Sequence, residues 1–228
     1  MRVPQPQGNR GSLKWIQIVI NDCPEILDRE IKTTCDIPEA DEITWVSPLR
    51  EDNYAEYRDN SFLDRLDVKL DHRPLKQFWP ARGPQWDALG KSDSGRLFLV
   101  EAKAHIDEVL SRGTQASKES ESLISRSLEE VRRFLRVNSA VDWSQVFYQY
   151  TNRLAHLYLL REVNRIPAFL VNVYFFGDAE MDGPKTSDEW RTALKVVKGL
   201  LGLGMKHMLS KYAADVFIDV KEIESCTA

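Results

Sequence analysis

The spacing of apolar positions changes period several times along this chain, and each change marks an element. From Ser12, apolar residues recur at helical spacing through Trp15, Ile18 and Val19, and after Pro24 through Ile26, Leu27 and Ile31. This predicts two core-facing helices, the first capped by Ser12 and the second opened by proline in its first turn. Ser47-Pro48 has the form of a helix start, so a helix is expected from there to about Leu66, carrying Glu51 and Glu56. Leu66 to Leu70 alternates like a short strand, and Leu75 to Arg82, rich in proline and aromatics, reads as a connection packed on the core. Two longer helices are predicted over Ser117–Val137 and Ser144–Val163. The first has Ile124, Leu128, Val131 and Leu135 on one stripe, and the second has Phe147, Tyr150, Leu154 and Leu157. Pro167 to Gly177 is an unbroken apolar run of β-formers, as a buried central strand requires. Thr186-x-x-Glu189 is a capping box that opens a helix through Leu201, and Asp215 to Val220 reads as a last strand.

Between these elements lies a hairpin. Trp86, Ala88, Phe98, Val100 and Ala102 fall on one face if Ser92 to Gly95 is the turn and the register places Leu89 opposite Leu99. The same register puts Asp87 across from Glu101 and Gln85 across from Lys103, with His105 further along the Glu101 and Lys103 face. Two ionised carboxylates about 5 Å apart repel by roughly 3 kcal/mol at an effective dielectric of 20. Neutralisation by Lys103, protonation, or a divalent cation between them resolves the conflict, and oxygen ligands suit Mg²⁺ or Mn²⁺. On the Ser144–Val163 helix, Gln149, Arg153 and His156 share a separate face.

Asp87, then Glu101-Ala102-Lys103 on the next strand, resembles the PD-(D/E)xK nuclease superfamily with its restriction-endonuclease-like fold. The longer string from Trp79 to His105 also looks like an uncharacterised bacterial branch of it. The Pro-Asp dipeptide of that family is replaced here by Trp86-Asp87. The resemblance implies an α/β core, a mixed central sheet flanked by helices on both faces, and a phosphodiesterase acting on DNA or RNA. It implies a Mg²⁺ or Mn²⁺ ion held by Asp87, Glu101 and the Ala102 carbonyl, with an upstream glutamate, Glu56 or Glu51, joining them. Lys103 would assist the attacking water, and Gln149 and Arg153 would lie near the site. The alternative is a nuclease-fold binding or assembly module of a defence or repair system.

Composition bounds these readings. With 228 residues, 43% of them hydrophobic, and no repeat or low-complexity linker, one domain over residues 12–228 is the simplest account. Residues 1–11, rich in proline, glutamine and glycine, are expected as a flexible tail. No stretch is apolar enough for a membrane span. Cys23, Cys35 and Cys226 have no paired spacing and read as free thiols of a cytoplasmic protein. The four histidines are scattered and make no zinc cluster. A net charge of −4 leaves no general basic surface, so a nucleic-acid partner must be met locally or through another subunit, a homodimer being one such arrangement.

Overall fold

Why the chain forms a sheet with two covered faces follows from the strand patterns. The computed structural model describes residues 1–111, 113–204 and 206–228. Its elements in chain order are β1 (Arg2–Val3), α1 (Gly11–Asp22), α2 (Pro24–Cys35), β2 (Ile43–Ser47), β3 (Glu56–Tyr57), α3 (Asn60–Arg65) and α4 (Leu75–Phe78). There follow β4 (Ala88–Ser92), β5 (Leu97–Lys103), α5 (Lys118–Leu135), α6 (Tyr148–Tyr158), β6 (Ala168–Phe176), α7 (Ser187–Leu200), β7 (Ala213–Asp219) and α8 (Val220–Thr227). Five strands form one mixed sheet in the order β2-β4-β5-β6-β7. The first three make an antiparallel meander, and β5, β6 and β7 run parallel, joined through helices. Ala88, Phe98, Val100, Ala102, Val171 and Val216 face the helices α1, α2 and α8. Leu89, Leu97, Leu99, Leu170 and Tyr174 pack with residues of α5, α6 and α7. The protein is therefore α/β, with helices on both faces of a mixed sheet. β6 is buried along all but its last residue, as its continuous apolar run requires.

The hairpin holds the register that alternation predicts: Ala88 pairs with Val100, Leu89 with Leu99, Gly90 with Phe98 and Lys91 with Leu97. Gly95 closes its turn at φ 81°, a conformation a side chain would strain, and donates its N–H to Ser92 O.

Several expectations need correction. No helix follows Ser47-Pro48. Ser47 ends β2, a strand that the sequence reading omitted, and only a 3-10 turn at Arg50–Asp52, the two-residue β3 and the short α3 occupy the segment. Asn53, Tyr54 and Asp59 adopt positive φ, which no helix accommodates. Backbone pairing of β3 with β1, and of Tyr57 with Trp86, outweighs the local helix signal. Leu66 to Leu70 is turn and coil, with Asp67 at φ 54°. The first eleven residues are tied down. β1 pairs with β3, and the N-terminal amine bonds to Arg58 O and Ser61 Oγ. Ser12 lies inside α1 rather than capping it, and its hydroxyl donates to Glu108 at 3.0 Å. α6 begins at Tyr148, because Ser144 folds back on Asp142 through its N–H and hydroxyl. Cys23 and Cys226 form a disulfide between the start of α2 and α8, leaving Cys35 as the free thiol. The cytoplasmic expectation loses the support of those two thiols. Among the described residues no helix is long and apolar enough to cross a membrane.

Candidate metal centre

On the face covered by α5 and α6, β5 presents Leu97 and Leu99 and then, two residues at a time, Glu101 and Lys103. All seven of its residues are buried, so the charges leave the core on a strand that cannot swing them into solvent. The chain bends at Asp87, one step before β4. Its N–H bonds to Val100 O at 3.1 Å, and its Oδ2 accepts the Ala102 N–H at 2.7 Å. The carboxylate thus lies along the Glu101 end of β5, as the register implies. The bend also resets the alternation. Trp86, expected beside Ala88, packs instead on the α5–α6 side, with ring centroids 5.9 Å from Phe62 and 6.1 Å from His156. Gln85 does not pair with Lys103; its side chain bonds to Glu56.

A cleft of about 320 Å³ opens here, and it gathers most of the expected residues: Glu56, Gln85, Asp87, Glu101, Ala102, Lys103, Gln149 and Arg153. Glu56 arrives from β3 rather than from a helix and accepts from Gln85 and, at 3.1 Å, from Gln5 Nε2. Lys103 Nζ donates to Glu101 Oε1 at 2.9 Å and to Gln149 Oε1 at 3.2 Å. Arg153 Nη2 lies 2.5 Å from Glu101 Oε2. Its directed hydrogen bonds go to Gln85 O and Asn152 Oδ1, each at 3.0 Å. Close as that ion pair is, Glu101 Oε2 has no hydrogen-bond donor aimed at it, and Arg153 Nε has no acceptor; both atoms are buried.

The three carboxylates titrate differently. Burial raises Asp87 well above the usual carboxylate range, and the charges of Glu101 and Glu56 add to the effect. Burial also raises Glu56, to about 7, with the neighbouring Glu101 charge opposing the help of Gln85. For Glu101, burial is outweighed by Arg153 and Lys103, and its carboxyl sits below the ordinary value.

Two expected residues lie elsewhere. His105 caps the 3-10 turn Ile106–Val109, its Nδ1 accepting the Asp107 N–H at 3.1 Å, and it does not line the cleft. Glu51 is exposed in the turn at Arg50–Asp52. His156, which shares a helix with Gln149 and Arg153, does not line the cleft. It is buried among Trp79, Trp86 and Phe62, its Nδ1 2.7 Å from Asn152 O, and burial pulls its imidazole down to about 4. Three residues of the site went unread in the sequence. Gln5 lay in the supposed tail, and Ser12 and Glu108 close one rim of the cleft. Glu108 accepts from the N–H groups of Ala104 and His105, so its oxygens are occupied. Its place just after a strand end was the one available signal.

Among the described residues, the one trio of Cys, His, Asp or Glu whose ligand atoms lie within 4.8 Å of one another is Cys23, Glu25 and Cys226, where the sulfurs are already bonded to each other. Glu56, Asp87 and Glu101 are set more loosely. No protein-family model matches this chain, and no curated protein or solved structure matches it, so the reading of the site rests on its own chemistry.

Proposed function

We propose that this chain is a divalent-cation-dependent phosphodiesterase acting on nucleic acid, DNA or RNA, built on a restriction-endonuclease-like core of the PD-(D/E)xK kind. One observation carries the reading. Asp87, Glu101 and Lys103 meet at the open end of one antiparallel hairpin, in a cleft that holds more negative than positive charge. The sheet order supports it, because an antiparallel meander bears the acids at its last two strands and continues through helices into a parallel strand.

The donor set fits a hard cation. It is all oxygen: Asp87, Glu101, the Ala102 carbonyl and, at the rim, Glu56 would hold Mg²⁺ or Mn²⁺. A buried Glu101 oxygen with no aimed donor, and two carboxylates pushed towards protonation by burial and by the Glu101 charge, are what such a site looks like from the protein side. When bound, the cation polarises the phosphodiester and acidifies a coordinated water. Lys103, fixed by Glu101 and Gln149, keeps one N–H and its charge for the cleft it lines, where it would orient the water and offset charge growing on the phosphate oxygens. Hydrolysis forms a bond from water oxygen to phosphorus and breaks one P–O ester bond. The attacking water gives its proton to solvent, and the departing oxyanion takes a proton from solvent.

A second reading draws on the pairing of Glu101 with both Lys103 and Arg153, which suits a structural ion network in a non-catalytic binding or assembly module. Incubation with single- and double-stranded DNA and RNA in Mg²⁺ or Mn²⁺, beside Lys103→Ala and Asp87→Ala, separates the two. Cleavage by wild type alone supports the enzyme. Equal cleavage by all three proteins sinks the assignment of these residues, and no cleavage combined with no cation binding favours the module.

A further inference from the structure

We infer that Arg153 is the internal counter-cation of this cleft: a divalent cation takes over its charge contact with Glu101, and the guanidinium so released holds a phosphate of the substrate. This rests on the phosphodiesterase reading and adds an order to it, cation first and phosphate second.

The contact between Arg153 and Glu101 is one of charge and not of direction. The atoms approach to 2.5 Å, yet Glu101 Oε2 and Arg153 Nε are both buried without a hydrogen-bond partner. The directed bonds of the guanidinium run to Gln85 O and Asn152 Oδ1, and neither depends on Glu101. Arg153 therefore stays where it is when Glu101 turns to another cation, and only its partner changes. Its side chain is 8% exposed, so a guanidinium deprived of Glu101 becomes a nearly buried charge in need of an anion.

The charge balance gives the order. Glu56, Asp87, Glu101 and Glu108 face Lys103 and Arg153, which leaves the ionised cleft two negative charges in excess and hostile to phosphate. A divalent cation cancels that excess, and the phosphodiester then meets Lys103 and Arg153 without a net negative field. The planar fork of arginine matches two phosphate oxygens, and Lys103 lines the same cleft. By linkage, cation and phosphate raise each other's affinity by the same factor.

Calorimetric titration of Mn²⁺ into the full chain tests the exchange. Arg153→Gln is expected to bind Mn²⁺ about ten-fold more tightly than wild type, because the competitor is gone. Arg153→Lys, which keeps the charge, should stay within about two-fold of wild type. Fluorescence anisotropy with single-stranded and duplex oligonucleotides of DNA and RNA, in EDTA and then in Ca²⁺, tests the release. Wild type should bind at least one of these about ten-fold more tightly with Ca²⁺, and Arg153→Gln should lose that gain. Unchanged or weaker Mn²⁺ binding by Arg153→Gln overturns the exchange, and so does equal oligonucleotide binding by wild type in EDTA and in Ca²⁺. Should Arg153→Gln not fold, the wild-type comparison decides alone. If wild type binds no divalent cation, the inference falls together with the phosphodiesterase reading; if it binds the cation and Arg153→Gln binds it no better, only the inference falls.

Discussion

The β4–β5 hairpin has a carboxylate centre at each end, and the fold treats them in opposite ways. At the turn, Asp41 accepts from the Ser94 N–H at 2.9 Å, the Ser94 hydroxyl at 2.7 Å and Arg96 at 2.5 Å. Burial works against its ionisation, but the bonds from Ser94, Ser92 and Arg96 prevail and bring it down to about 2. At the open end, Glu56, Asp87 and Glu101 share Lys103 and Arg153, and the first two are raised instead. The same two strands thus satisfy a carboxylate fully where only stability is at stake, and leave three crowded where a cleft opens. Raised carboxylates in a cleft, beside a lowered one at the turn, are the contrast that singles out the open end as the candidate site.

The largest expected effect tests that contrast directly. Asp87→Ala and Lys103→Ala should each lower cleavage by about 10²-fold to 10³-fold, while Asp41→Ala leaves the rate constant of folded protein unchanged. Stability should respond the other way round. Asp41→Ala strips acceptors from Ser94 and Arg96 and is expected to cost about 1–3 kcal/mol in urea unfolding. Asp87→Asn keeps an oxygen for the Ala102 N–H, removes repulsion, and should gain on the order of 1 kcal/mol in EDTA. If both variants lose stability alike, the two ends of the hairpin are equivalent and the open end is only another structural ion pair.

A smaller effect sharpens the same comparison through pH. The folded-state value of Glu56, about 7, lies above its ordinary 4.5, so between these values the folded chain binds a proton that the unfolded chain has lost. Stability from this group is therefore highest below 4.5 and declines as pH rises to 7, with a slope of up to about 1.4 kcal/mol per unit. Asp41 behaves inversely. Its folded value of about 2 lies below 3.8, so its contribution is full above 3.8 and disappears as pH falls towards 2. Urea unfolding across pH 2 to 8 should show both flanks. Glu56→Gln should remove its share of the upper one and leave that of Asp87, whose carboxyl is raised too, and a saturating divalent cation should flatten both by taking the place of the protons. An upper flank of unchanged slope in Glu56→Gln removes Glu56 from it and assigns it to Asp87.

How far these features were legible in the sequence depends on the range of the interactions behind them. The hairpin register was readable because alternation and the Ser92–Gly95 turn are local signals that agree with each other. β6 and the stripes of α5 and α7 were readable for the same reason. Glu56 was named as a candidate, but its support was misjudged: β3 is two residues long and is held by β1 from the chain start and by Trp86, contacts with no periodic signature. The Ser47-Pro48 helix signal was strong and local, and tertiary pairing overrode it. Trp86 changed faces because one bend at Asp87 undoes the rule of two that alternation relies on. The Cys23–Cys226 link spans 203 residues, and no spacing argument reaches that far. Gln149 and Arg153 stood out one turn apart on a helix, yet that Arg153 meets Glu101 is a fact of helix placement that the sequence does not express.

The smallest expected effect concerns His105, which alternation placed on the same face as Glu101 and Lys103. In the structure its Nδ1 accepts the Asp107 N–H, and Glu108 accepts the His105 N–H in return, so the side chain serves the 3-10 turn after β5. Capping of this kind is worth about 0.5–2 kcal/mol at most. His105→Ala should then leave cleavage within about two-fold and shift the unfolding midpoint slightly, whereas His105→Asn, which can accept the same N–H, should restore the midpoint. The order of the two readouts is what matters. A loss of activity in both variants without a change in midpoint would move His105 into the cleft and extend the charged row of β5 by one residue. A midpoint change that asparagine repairs leaves Lys103 as the last working residue of the strand, and sets the end of the site where the sheet gives way to the turn.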